Sequence, residues 1–221
     1  VTFTAVGSLT SAENAVSATT TTFSLTTTTA GDFILVSLCN NSQPAIAVSS
    51  TRVTWYQLTP AFSFASMSPT GQINHWLGRV NSAGSDTVTV TYAASMGGNN
   101  SRFDAREFHS SVGNVVVDAV GTVSGAGTAN WATLTPTGAP GGPRMYWGWA
   151  EDSGSGVAGS TSGFVYEPDS HSNQEGYCLS VTAAYTPVWG DAGAIAGVMI
   201  LLREAGRPLA AGQAVQRSYN Y

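Results

Sequence analysis

The chain has 221 residues, of which only 10% are charged, with a formal net charge of −5 and a pI near 5.0. All eight basic residues are arginine, which excludes Schiff-base catalysis, a P-loop lysine and Lys–Asn isopeptide crosslinking, because each needs an ε-amine. Those arginines are scattered, at 52, 79, 102, 106, 144, 203, 207 and 217, so no cation cluster is present to displace counterions from DNA or RNA.

In chain order, Val1-Thr-Phe-Thr-Ala-Val6 already alternates like a strand and has neither the basic start nor the continuous apolar run of a leader. Strands are expected over 2–6, 15–25, 33–39, 52–58, 72–79, 86–92, 102–109, 115–123, 130–135, 144–150, 163–167, 177–184 and 194–203, from period-2 alternation, β-branched residues and Gly, Asn, Ser and Pro punctuation. In Asp86–Tyr92 the alternation turns Val88, Val90 and Tyr92 inward and Thr87, Thr89 and Thr91 to water. Phe33–Cys39 is apolar at both parities and reads as a central strand covered on both faces. The loops 97–101 and 152–163 read as excursions beyond the sheets, where partners or ligands are usually met. Helical periodicity is confined to a weak stretch at 209–215, and the apolar run 192–202 is too short and Gly-broken for a membrane span.

The chain also repeats itself. Phe23–Val36 couples a Thr-rich strand through a Gly-bearing turn to an apolar strand, and Trp131–Trp149 does the same about 110 residues later. Each half then ends on a further strand pattern, Arg102–Phe108 in one and Ala194–Leu202 in the other. Many short strands in two similar halves imply an all-β fold, a two-sheet antiparallel sandwich of jelly-roll type. The expected organisation is one domain over 1–203, with halves of about 1–113 and 114–203, followed by a C-terminal arm, 204–221. A chain of this length buries on the order of 70% of its unfolded surface and needs no disulfide or metal to be stable. Cys39 and Cys178, in apolar contexts in opposite halves, read as buried thiols in preference to an inter-sheet disulfide.

No catalytic, cofactor-binding or metal-ligating set emerges, and a non-enzymatic role is expected. Gly154–Gly159 matches G-x-G-x-x-G but is followed by loop and strand rather than a helix. Gly159-Ser-Thr-Ser-Gly163 imitates a nucleophile elbow but centres on Thr161. Glu167, Asp169, His171 and Glu175 bring metal-type ligands into one polar segment without a zinc or EF-hand spacing. A triad drawn on His75, His109 or His171 has no positive support. Glu107 and Glu151 are the carboxylates to weigh for glycan hydrolysis, with Glu107 expected half-buried and satisfied by an arginine or a backbone amide. Trp147 and Trp149 share a strand face with Met145 and read as core. Trp55, Tyr56 and Trp189 are the surface candidates for a partner or ligand. Asn99 and Asn100 join them from the 97–101 loop, and Arg207, Arg217, Tyr219 and Tyr221 from the arm.

The run Thr27–Val36, then Val53-Thr-Trp-Tyr56, Trp76–Tyr92 and Ala105–Gly113, resembles Thr/Gly/Ala-rich β-sandwich modules of actinobacteriophage minor tail and virion proteins and of secreted actinobacterial surface proteins. The resemblance spans about 20–203, departs in the 151–163 loop and after Arg203, and transfers no catalytic residue. It implies a virion structural role in a tail, tail tip or head decoration. Its partners would then be other virion proteins and further copies of the chain, with contact to a host-surface glycan, and without nucleic acid, membrane insertion or cofactor. Location in the virion, after synthesis in the host cytoplasm, is the expectation, against secretion to a cell surface. A carbohydrate-binding or adhesin module is the alternative function, and a β-sandwich glycan hydrolase or lyase the weaker one.

Overall fold

A computed structural model describes residues 3–14, 17–41, 43–65, 71–98, 100–126, 130–137, 142–152, 158–168, 173–190 and 194–205. Among them the strands are β1 (Phe3–Glu13), β2 (Ala18–Thr27), β3 (Phe33–Asn41), β4 (Ala45–Ser49), β5 (Val53–Gln57), β6 (Phe62–Phe64), β7 (Gly71–Val80), β8 (Gly84–Met96), β9 (Ser101–Ser110), β10 (Val115–Ala126), β11 (Arg144–Asp152), β12 (Val165–Pro168), β13 (Asn173–Val181) and β14 (Ala194–Glu204).

The chain is an all-β antiparallel sandwich, as the alternation demands, but its sheets are three rather than two. The orders are β1-β9-β3-β7-β5 with β6 also on β7, β10-β14-β11-β13-β12, and β2-β8-β4. The pairs β1–β9, β2–β8 and β3–β7 nest one inside the next, as jelly-roll strands do, but β5 leaves that plan by joining β7 instead of completing the sheet of β4. The repeat reappears as topology. With β6 left aside and the remaining strands of each large sheet taken in chain order, both sheets run first, fifth, second, fourth, third. β3 therefore corresponds to β11, and β9 to β14.

These two sheets lie face to face with β3 against β11 at the centre, β7 against β14, and β9 against β12 and β13. Phe33, Leu35 and Phe108 meet Met145, Trp147, Tyr177 and Ile200 there. The opposite face of β3, with Ile34, Val36 and Leu38, meets Phe23, Leu25, Val88 and Val90 of the small sheet. That sheet shows hydroxyls to solvent, with Thr22 opposite Thr89 and Ser24 opposite Thr87.

The second half has no complete outer sheet among the described residues. The expected strand at 130–135 is reduced to two antiparallel bridges, Asn130 to Val188 and Leu134 to Tyr185. Pro136 and Pro187 stand beside these bridges, and a proline cannot donate to a ladder. An aromatic layer closes this face instead: Trp131 lies against Trp189 at 5.4 Å and Phe164 at 5.2 Å.

The fit beneath Trp131 is close. A Cβ at Gly148 would overlap Cζ3 and Cε3 of Trp131, a ring that is 1% exposed and has no space to swing into. Gly148→Ala is therefore expected to cost about 3 kcal/mol, a fall in melting temperature of roughly 6–12 °C by calorimetry. An unchanged midpoint would show that Trp131 is not held on β11.

Candidate functional site

Polar side chains in this fold concentrate between the two large sheets, where alternation on β3, β7 and β9 sends Ser37, His75, Asp104 and Arg106 toward β11, β12, β13 and β14. His75 Nε2 lies 2.8 Å from the carbonyl oxygen of Val198, which can only accept, so Nε2 carries the proton. Nδ1 then accepts from the Ser37 hydroxyl at 3.0 Å, and that hydroxyl accepts from Trp147 Nε1 at 3.2 Å. All three side chains are fully buried. Burial pulls the His75 pKa down from 6.5 to about 4, so the ring is neutral at pH 7.

The seam continues toward one rim. Trp149 Nε1 donates to Asp104 Oδ2 at 2.6 Å. The Cys39 thiol donates to Glu151 Oε2 at 3.4 Å, and burial, then the neighbouring Glu151 charge, push its pKa well up. Arg102 reaches Glu13, Glu151 and Asn173. Arg106 pairs with Glu167 and lies 5.4 Å from the centre of the Tyr177 ring. Burial raises the Glu167 pKa against the lowering effect of Arg106.

This arrangement binds sheet to sheet. Ser37 and His75 resemble two members of a triad, but the hydroxyl and both ring nitrogens are committed inside a closed interface. The acidic contact belongs to the other described histidine, His109, whose Nδ1 is 2.6 Å from Asp32. Glu107 and Glu151 do not converge: Glu107 caps the end of β2 by accepting from the Thr28 and Thr29 amides, whereas Glu151 faces the seam. Thr161 Oγ1 accepts from the Val188 amide at 2.7 Å, fastening the cover of the second half. Cys39 and Cys178 are buried free thiols. Among the described residues, no group of three or more His, Cys, Asp or Glu is placed to hold a metal ion, and no helix is long and apolar enough to cross a membrane.

The surface candidates separate. Tyr56, on edge strand β5, is 42% exposed. Trp55 beside it is half-buried against the first core and donates to Ser50 at 3.0 Å. Trp189 is a correction: it is 3% exposed and belongs to the second core, because the Asn130–Val188 bridge sets it beside Trp131. Asn100 is occupied within the turn, donating its amide to Asn14 and accepting from Asn41 through its own side chain. Asn99, Arg207, Arg217, Tyr219 and Tyr221 lie outside the described residues, as do Asp169 and His171. The seam was missed in sequence. Its one signal is β9, where Arg102, Asp104 and Arg106 alternate with Phe103 and Ala105 in a strand buried on both faces.

No family model, curated protein or solved structure matches this chain.

Because the His75 pKa is about 4 folded and near 6.5 unfolded, the unfolded chain binds the proton first as pH falls. His75 thus supports the fold above pH 6.5, and that contribution, on the order of 3 kcal/mol, is lost between pH 6.5 and 4. In urea unfolding across this range, His75→Gln should show a shallower fall in stability than the unmodified chain; parallel curves would place the proton elsewhere.

Proposed function

We propose that the chain is a structural subunit of a phage virion, in a tail, tail tip or head decoration, acting through protein–protein assembly and touching the host surface. The observation that carries this reading is the seam between the two large sheets. Its buried histidine, arginine and carboxylates are spent on locking two similar units into one rigid block, the property that an assembly subunit needs and a reacting site does not. The hydroxyl-covered outer sheet adds support, since it supplies solubility without the charges that would repel neighbouring copies. Protein partners and further copies of the chain, rather than a small-molecule substrate, follow from this reading.

A carbohydrate-binding role is the second reading, favoured by one observation: Tyr56 is exposed beside half-buried Trp55 on an edge strand, and aromatic rings on an edge can stack on sugar faces.

Antibodies against the chain should label intact particles in electron micrographs of lysates from the phage host; label confined to the cell envelope would overturn the virion reading. Deleting 206–221, beyond the Ala205 amide that donates to Asn114 at 3.0 Å, should leave the melting temperature within about 2 °C, since every described core residue is kept, while incorporation into particles is lost. On a glycan array, binding that disappears in Tyr56→Ala would transfer preference to the second reading.

A further inference from the structure

The sheet edges of this fold are unequally protected. β1 is bulged after Val6, where Gly7 has φ 65°. β10 is bulged at Asp118 and carries Gly125 at φ 145° near its end. β12 is four residues long and ends in Pro168. β4 and β5 have five residues each, and β4 is also bulged. Shortness, bulges, proline and inserted charge are the devices that stop an edge from recruiting another strand.

Over Thr20–Thr27 β2 has none of them, its one register shift lying before Thr20. Its pairing with β8 runs without a shift from Thr20 to Thr27, and Thr-Thr-Thr-Phe-Ser-Leu-Thr-Thr contains no charge, proline or glycine. The order β2-β8-β4 leaves the other side of β2 unpaired among the described residues.

We propose that this open edge is a homotypic interface, at which β2 of a second copy pairs antiparallel across a two-fold axis and joins the two three-stranded sheets into one. The proposal rests on the assembly reading above and names one contact of that assembly. Main-chain donors and acceptors along an edge are met by an extended strand, and a two-fold contact requires that strand to be its own complement. A charged edge would set like charges opposite each other, whereas Thr and Ser pair with themselves favourably. Only a register that keeps hydroxyls on the solvent side and Phe23 and Leu25 on the core side is allowed, because a one-residue slip would reverse both faces. In the two such registers that pair most of Thr20–Thr27, centred on Phe23 and on Ser24, Ser24 stands diagonal to, or opposite, Ser24 of the second copy. Its exposed side chain can therefore be changed without entering the core.

The test is sedimentation equilibrium of the full chain with Ser24→Arg, Ser24→Glu and their equimolar mixture, with circular dichroism to verify folding. The unmodified chain should dimerise reversibly, each single variant should weaken the dimer about tenfold or more, and the mixture should recover it as opposite charges meet. Dimerisation unaffected by charge at position 24, a mixture that stays dissociated, or an unmodified chain that remains monomeric would each overturn the β2 contact. Particle labelling by antibody does not depend on this contact, so its failure and the failure of the virion reading are told apart.

Discussion

The structure depends on a polar constraint at its centre: His75 is buried between two sheets and must give its one proton to a carbonyl on the opposite sheet. That bond, from Nε2 to Val198, fixes the tautomer, the tautomer makes Nδ1 an acceptor, and Ser37 and Trp147 are then ordered behind it. Leucines in these places would bury as much apolar surface and would tolerate sliding. Donors and acceptors do not, because a shift of one sheet over the other leaves each of them unpaired in a medium where an unmet group costs about 1–3 kcal/mol. Apolar burial supplies the attraction between the units, with Trp147 and Trp149 at 0% exposure. The histidine chain sets their register.

From this follows the way charge is used throughout the molecule. Arg102 and Arg106, on one strand face to either side of Asp104, reach across to Glu151 and Glu167 of the other half. On the far side of β9, Glu107 spends both oxygens on the amides where β2 ends. Asp86 likewise accepts from the Arg52 amide and the Thr51 hydroxyl; these hydrogen bonds outweigh a burial effect in the opposite direction and lower its pKa. Ionised side chains are few in this chain, and many of those described hold one segment to another. Solubility is left to hydroxyls.

Much of this architecture was legible, for identifiable reasons. β8 keeps strict alternation because one of its faces meets water, so Val88, Val90 and Tyr92 announce themselves. β3 is apolar at both parities because it lies between two layers, and the corresponding β11 shows the same pattern at Met145–Ala150. What escaped was short, irregular or dependent on contacts between distant strands. β4 is bulged and reads as a loop, and β6 has three residues. The Thr-rich stretch at 130–135 resembles β2 yet pairs only at isolated positions. Polar neighbours made Trp189 look exposed, since local composition reports the company of a residue along the chain and not the direction in which its ring points. Ser37 and His75 are 38 positions apart in sequence, and neither carries a local mark of the other.

The asymmetry between the two halves decides what kind of association the molecule can support. Both halves share a five-stranded plan, but the first adds a three-stranded sheet whose outer face is hydroxylated. The second is closed by Trp131, Phe164, Tyr166 and Trp189, and the segments that carry Trp131 and Trp189 are joined to each other by isolated bridges rather than a ladder. The two outer faces are thus unlike in chemistry and in backbone pairing. A single self-complementary edge closes on itself after one copy is added, which ends growth at a pair instead of propagating a fibre. In the assembly proposed above, growth beyond the pair would draw on a second, different contact.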